Sequence, residues 1–260
     1  MSDSLYSIKQ QVVEICRRIY NRGYVAANDG NVSARIDDGH IVMTPTGVSK
    51  GFLKIQDLAV VNIDGKQVSG STKPSSESKM HLAIYRSRAD VKAVVHAHPP
   101  TATGFAVAGI PLTQCVLPEV IISVGSIPIA EYATPGTQEL ADVVVKYLQQ
   151  YDAILLENHG AITVGSGVVN AHFKMETIEH FAKIMLVAYQ LGNVKGLPAQ
   201  DVQELVSLRQ KFGIRSTAPV CEAAGTCDTT IKPAPQEKTE ATQTQLIEEI
   251  TRQVINALKS

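Results

Sequence analysis

The chain opens on an amphipathic stripe. Ile8, Val12, Ile15 and Ile19 recur at helical spacing and Gly23 ends the pattern. Short β-branched runs follow, Val32 to Ile36 and Ile41 to Thr44, separated by Asp-Gly turn chemistry, which predicts a hairpin. Leu58 to Ile63 reads as a strand turned at Asp64-Gly65. Ser75-Ser76-Glu77 predicts a helix start, with serine as the cap and the helix running to about Arg88. Val91 to His98 is a strand of the fully buried type, stopped by Pro99-Pro100, and a helix is expected from Thr101 to Ala108. Further strands are expected at Val120 to Val124, Ile127 to Ile129, Ile154 to Leu156 and Ala161 to Val164. Helices are expected from about Pro135 to Tyr151 and Val169 to Leu191. The alternation predicts an α/β (α+β layered) fold, with a mainly antiparallel sheet flanked by helices.

From Ser216 to Thr244 the pattern fails. Ala, Thr, Pro, Glu and Gln dominate, the composition of a disordered linker. Periodicity returns at the end, where Ile247, Ile250, Val254 and Leu258 form one helical stripe broadened by Leu246 and Ile255. The expected organisation is a domain over 1–215, a linker over 216–244 and an amphipathic helix over 245–260.

Apolar residues make up 44% of the 260 residues, charged residues 19%, and the formal net charge is −1. That permits a sizeable core and supplies no basic field for nucleic acid or anionic membrane. The first residues have neither a basic nor an apolar leader pattern, so a cytoplasmic protein is expected. Cys16, Cys115, Cys221 and Cys227 form no C-x-x-C pair, and they read as free thiols.

Three of the seven histidines carry a chemical signal. His96 and His98 end a strand-like run, Val94-Val95-His96-Ala97-His98, and residues two apart face one side of a strand. His159 lies in a separate strand-turn-strand, where Gly160 is expected to allow a tight turn that points the ring inward. Three imidazoles and an open position describe a catalytic zinc site. His40, His81, His172 and His180 read as non-ligands.

With these residues in view, the chain resembles the class II aldolase/adducin family, which includes fuculose- and rhamnulose-phosphate aldolases and ribulose-phosphate 4-epimerases. The stretches that carry the resemblance are Gly30-Asn31-Val32-Ser33, Thr44-Pro45-Thr46-Gly47, Ser75-Ser76-Glu77, Val94-Val95-His96-Ala97-His98-Pro99, Tyr132-Ala133-Thr134-Pro135-Gly136-Thr137 and Glu157-Asn158-His159-Gly160. Their order and spacing span most of residues 5 to 215.

The resemblance implies one zinc ion on His96, His98 and His159, with Glu77 as a further ligand and as the acid/base carboxylate. It implies a phosphate cradle of Gly30, Asn31, Thr46, Gly47, Ser75 and Ser76, and a C4 homotetramer. The helix start at Ser75-Ser76 suits an anion independently, through its free N–H groups. Lys50 reads as a solvated lysine. The implied reaction is retro-aldol cleavage of a ketose 1-phosphate, of the L-fuculose 1-phosphate kind, to dihydroxyacetone phosphate and an aldehyde such as lactaldehyde. A crowded, desolvated Glu77 is expected to have a raised pKa suited to proton transfer.

Other reactions stay open. An epimerase or dehydratase would use the same metal site, and adducin-like heads have the fold without the metal residues. The two tyrosine positions of fuculose-phosphate aldolases fall near Leu117 and Phe212 here, so the general acid on the aldehyde side is unassigned, with Glu119 and Tyr132 as candidates. The linker and terminal helix resemble the encapsulation peptides of bacterial microcompartment enzymes. That implies a shell protein as partner for residues 245–260 and a place inside such a compartment.

Overall fold

The computed structural model describes residues 5–212, 214 and 218–221. The terminal helix expected at 245–260 lies outside them, as does most of the expected linker.

Eight strands form one sheet. In chain order they are β1 (Asn31–Arg35), β2 (His40–Met43), β3 (Ala59–Asn62), β4 (Gln67–Ser69), β5 (Ala93–Ala97), β6 (Ile129–Ala130), β7 (Ala153–Leu156) and β8 (Gly160–Gly165). Their spatial order is β4-β3-β2-β1-β5-β8-β7-β6. Every neighbouring pair is antiparallel except β6 with β7, so the expected sheet is the observed one. β5 is central, paired with β1 on one side and β8 on the other. Its residues are buried throughout, as the unbroken apolar run requires.

Helices cover both faces. On one side lie α1 (Leu5–Asn21), α3 (Pro100–Ala108) and α6 (Val168–Gln190), whose buried side chains include Ile15, Ile19, Phe105, Ile178 and Phe181. On the other lie α2 (Ser78–Ser87) and α5 (Gln138–Leu148), packed through Met80, Ile84, Leu140 and Val144. Burying a side chain of this size stabilises by about 1.5–3 kcal/mol. The two layers therefore fix the end of β5, where the histidines emerge.

Four sequence expectations need correction. Val120 to Val124 is not a strand: it belongs to helix α4 (Pro118–Ser123), with proline at the first helical turn. Helix α2 begins at Ser78, with Glu77 and not a serine at the cap. The linker does not begin at 216, because Ala218 and Cys221 are buried. Arg209, on α7 (Ala199–Lys211), donates to Ile121 O at 2.7 Å and Ala218 O at 2.9 Å, which ties this segment to α4. Finally, Cys115 and Cys221 are not free thiols. They are joined as a disulfide across 106 residues, with Cα atoms 5.7 Å apart. Cys16 is free and buried.

Glu179 settles how the chain leaves the central strand. Buried on α6, it accepts from Thr101 N at 3.1 Å, Ala102 N at 2.9 Å and Thr101 Oγ1 at 2.9 Å. These are first-turn donors of α3, which have no partners within the helix. The carboxylate thus fixes α3 three residues after His98.

Candidate metal centre

His96, His98 and His159 meet at the end of β5 and the β7–β8 turn. One ligand-type atom from each lies within 4.8 Å of the other two. The alternation of strand side chains sends His96 and His98 to the same place, as expected. The turn works differently from the expectation. The positive φ falls at Asn158 (φ 54°), and His159 N closes the turn on Leu156 O at 3.0 Å. Gly160 matters for clearance: a Cβ there would sit 2.5 Å from His98 Cδ2 and 2.7 Å from Ala97 O. Gly30 does the same on the other side, at φ 67°, where a Cβ would meet Val25 Cγ1 at 2.5 Å and His96 O at 3.0 Å.

The outer nitrogens of two histidines are already engaged. His96 Nδ1 is 2.9 Å from Ala161 O, and His98 Nδ1 is 2.9 Å from Asp29 Oδ2. Both partners are acceptors, so both Nδ1 atoms carry protons. The Nε2 atoms then point their lone pairs at each other across 3.2 Å. Glu77 stands over the same point, with Oε2 3.3 Å from His96 Nε2 and Oε1 3.5 Å from His159 Nε2. Oε1 is buried and has no hydrogen-bond partner among the described residues. Converging lone pairs and an orphaned carboxylate oxygen fit a divalent cation of the zinc kind.

The electrostatics correct a second expectation. Burial pushes the Glu77 carboxyl up, yet His96, the Asn31 amide and His159 together outweigh it and hold the group well below the usual carboxylate range. Glu77 is therefore ionised, where desolvation alone predicted a raised pKa. His159 is lowered to about 4 by burial and by His96, against the pull of Glu77. Burial also opposes charge on His96, but Glu77 and Ala161 O raise it overall.

Two of the expected cradle segments lie side by side. Pro45 bridges Pro74, Thr46 N donates to Lys73 O at 3.1 Å, and Ser75 N donates to Thr44 O at 3.1 Å. Thr46-Gly47 and Ser75-Ser76 thus lie on neighbouring loops. Ser75 Oγ accepts from Glu77 N at 3.2 Å, so the serine shapes the turn that delivers the carboxylate. Asn31 stands apart: its side chain is buried and bonds Glu77 and His81. Lys50 is not solvated. It is 1% exposed and donates to Asn28 O at 2.6 Å and Val48 O at 3.1 Å, joining the Gly30 loop to the Gly47 loop.

The candidate acids differ in setting. Leu117 is half-buried against the core at the cap of α4, and Phe212 is exposed just past α7. Glu119 is exposed in the first turn of α4. Tyr132 is 53% exposed, and its amide donates to Glu157 Oε2 at 2.9 Å. Thr137 caps α5 by accepting from Leu140 N at 3.2 Å, so that end of the Tyr132–Thr137 stretch is structural. Asp29 and His81 were not legible as site residues. Asp29 precedes Gly30 and reads as a turn residue, and His81 reads as a helix histidine.

The fold and the three-histidine, one-carboxylate centre are those of an enzyme of the class II aldolase type. Residues 10–186 match the model of the class II aldolase and adducin N-terminal domain, and the chain belongs to that family. It is 37% identical over 179 residues to an L-fuculose phosphate aldolase of Methanocaldococcus jannaschii, covering 69% of this chain and 96% of that protein. It is 33% identical over 207 residues to a 3-oxo-tetronate 4-phosphate decarboxylase of Escherichia coli K12, covering 77% and 96%. Among solved structures, an L-fuculose 1-phosphate aldolase superposes with a TM-score of 0.73 at 32% identity, over 79% of this chain and 96% of that one. YgbL of Klebsiella pneumoniae, described as a putative aldolase/epimerase/decarboxylase, superposes at 0.71 and 32%, over 76% and 97%.

Proposed function

We propose that this protein cleaves a ketose 1-phosphate of the L-fuculose 1-phosphate kind into dihydroxyacetone phosphate and an aldehyde such as lactaldehyde. The observation that carries the reading is Glu77 Oε1, buried, ionised and unpartnered beside three histidines. His96, His98 and His159 would hold zinc, with Glu77 as a fourth ligand in the resting site. A bound zinc ion supplies Lewis-acid polarisation of the substrate oxygens beside the scissile bond.

The chain's own residues supply the rest. Backbone amides of Gly30, Gly47 and Ser76, with the hydroxyls of Thr46, Ser75 and Ser76, suit the phosphate. In the synthetic direction, the Glu77 carboxylate takes a proton from the hydroxymethyl carbon of dihydroxyacetone phosphate. In cleavage, the same carboxyl returns that proton after the C3–C4 bond has broken. No lysine Schiff base is needed.

A second reading is favoured by Leu117 and Phe212. Retro-aldol cleavage needs a group to handle the proton of the aldehyde-side hydroxyl, and neither side chain titrates. Loss of carbon dioxide from a 3-oxo acid phosphate needs no such group, and relatives named as decarboxylases are about as similar as the aldolases. The test incubates zinc-loaded protein with L-fuculose 1-phosphate and, separately, with 3-oxo-tetronate 4-phosphate. A coupled dehydrogenase reads dihydroxyacetone phosphate, and carbon dioxide is trapped. The aldolase reading requires dihydroxyacetone phosphate from L-fuculose 1-phosphate, lost on chelation and in Glu77→Gln. Decarboxylation of 3-oxo-tetronate 4-phosphate also leaves dihydroxyacetone phosphate, so turnover of that substrate with carbon dioxide, and none of L-fuculose 1-phosphate, overturns it in favour of the decarboxylase.

The reading extends to assembly. Exposed Tyr6, Phe52, Phe173 and Leu191 offer apolar surface that a homotetramer would cover. The stripe of residues 245–260 suits a microcompartment shell protein, where an aldehyde product would be confined. Fusing that segment to a reporter and testing co-purification with shell protein decides it.

A further inference from the structure

Four buried side chains behind Glu77 form a continuous line. Tyr85 Oη is 2.8 Å from Ser33 Oγ, which is 2.6 Å from His81 Nδ1. His81 Nε2 is 2.5 Å from Asn31 Oδ1, and Asn31 Nδ2 donates to Glu77 Oε2 at 2.7 Å. Ser33, His81, Asn31 and Tyr85 are each under 5% exposed, so no solvent competes. The line runs between β1 and α2 to the centre.

Its direction is fixed by elimination. An ionised carboxylate only accepts, so the Asn31 amide nitrogen faces Glu77 and its oxygen faces His81. An amide oxygen also only accepts, so His81 Nε2 carries a proton. The ring is 2% exposed and neither nitrogen meets a carboxylate, so burial keeps it neutral and Nδ1 is bare. Nδ1 must accept from the Ser33 hydroxyl. Ser33 has one proton, so its bond with Tyr85 is donated by the phenol. Each member has one orientation consistent with its neighbours.

We propose that His81 is a positioning residue for Glu77, at the middle of a one-way donor chain that runs Tyr85, Ser33, His81, Asn31 and ends on Glu77 Oε2. The chain locks the Asn31 amide against flipping, because a flipped amide would set its nitrogen against the His81 donor and its oxygen against the carboxylate. With Oε2 held by Asn31, Oε1 is the basic oxygen and takes the substrate proton. This rests on the reading of Glu77 as the proton carrier, and it removes the Asn31 side chain from the phosphate cradle.

The test has two arms. Nitrogen-15 NMR of histidine-labelled, zinc-loaded protein, with His81→Gln to assign the signal, reads the tautomer. A neutral ring protonated at Nε2 is expected, and protonation at Nδ1 overturns the chain whatever the kinetics. Deuterium uptake into dihydroxyacetone phosphate in D2O, followed by proton NMR, reads the Glu77 step alone, without an aldehyde. His81→Leu is expected to slow exchange by about 10- to 100-fold, with KM and zinc content unchanged. His81→Gln, whose amide can stand where Nε2–H stands, is expected to restore most of it. Exchange at the wild-type rate in His81→Leu overturns the positioning role. Should that variant fail to fold, Ser33→Ala is read instead, and unchanged exchange in it overturns the chain. Absence of exchange in the wild type would sink the acid/base reading of Glu77, a result distinct from either.

Discussion

The Nε2 atoms of His96 and His98 face each other at 3.2 Å, and each ring has its Nδ1 proton on a fixed acceptor, Ala161 O or Asp29. Two lone pairs aimed at one point repel unless a cation or a proton lies between them. Zinc should therefore stabilise the fold as well as serve the reaction. Adding zinc at 100 times its dissociation constant to chelator-stripped protein should contribute about 2.7 kcal/mol. Calorimetry with and without the ion checks this, and an unchanged melting temperature would exclude tight binding at these histidines.

Asp29 should matter through His98. Its carboxylate holds the ring by Nδ1 and its other oxygen accepts from Ala26 N at 2.5 Å, so it is itself anchored. Asp29→Ala should weaken zinc binding by about 10- to 100-fold, the usual effect of removing a partner behind a metal ligand. Competition with a chromophoric chelator measures it.

Gly160→Ala should damage the centre without touching a ligand. The added methyl meets His98 Cδ2 and Ala97 O, and the backbone oxygen cannot move aside. A loss of about 1–3 kcal/mol in stability is expected from overpacking. Zinc affinity should fall with it. Thermal unfolding and zinc titration, run together, would show whether the ring has been displaced.

His81 should make the protein sensitive to acid. Its folded pKa of about 3 lies below the ordinary 6.5, so between these values the unfolded chain binds the proton and the folded one does not. Stability from this group is complete above about pH 6.5 and is lost as pH falls towards 3. Between pH 7 and 5 the loss should be about 2 kcal/mol. Denaturant titrations of wild type and His81→Gln check it, since the variant lacks this part of the slope.

Some of the fold was written locally. The five-residue run Ala93–Ala97 could only be a buried central strand, and alternation alone set His96 and His98 on one side. The Val120 to Val124 run misled because a short apolar stretch looks alike in a helix and a strand. Pro118 at the first helical turn was the available signal. The helix start was misjudged at Ser75 because serine is a good cap in isolation. Here Ser75 instead supports the turn that brings Glu77 to the cap.

The sequence by itself determined most strands of the sheet, the main helices and the pairing of His96 with His98, because periodicity and spacing are local properties of the chain, while Glu77 entered through the family resemblance. Only the tertiary structure decided what holds them. Asp29 reaches His98 across 69 residues, Glu179 reaches Thr101 across 78, and Cys115 meets Cys221 across 106. The His81–Asn31–Glu77 line exists only because α2 packs against β1. Such pairings depend on which faces are pressed together and shielded from water, and burial then sets both the hydrogen-bond directions and the charge on each group.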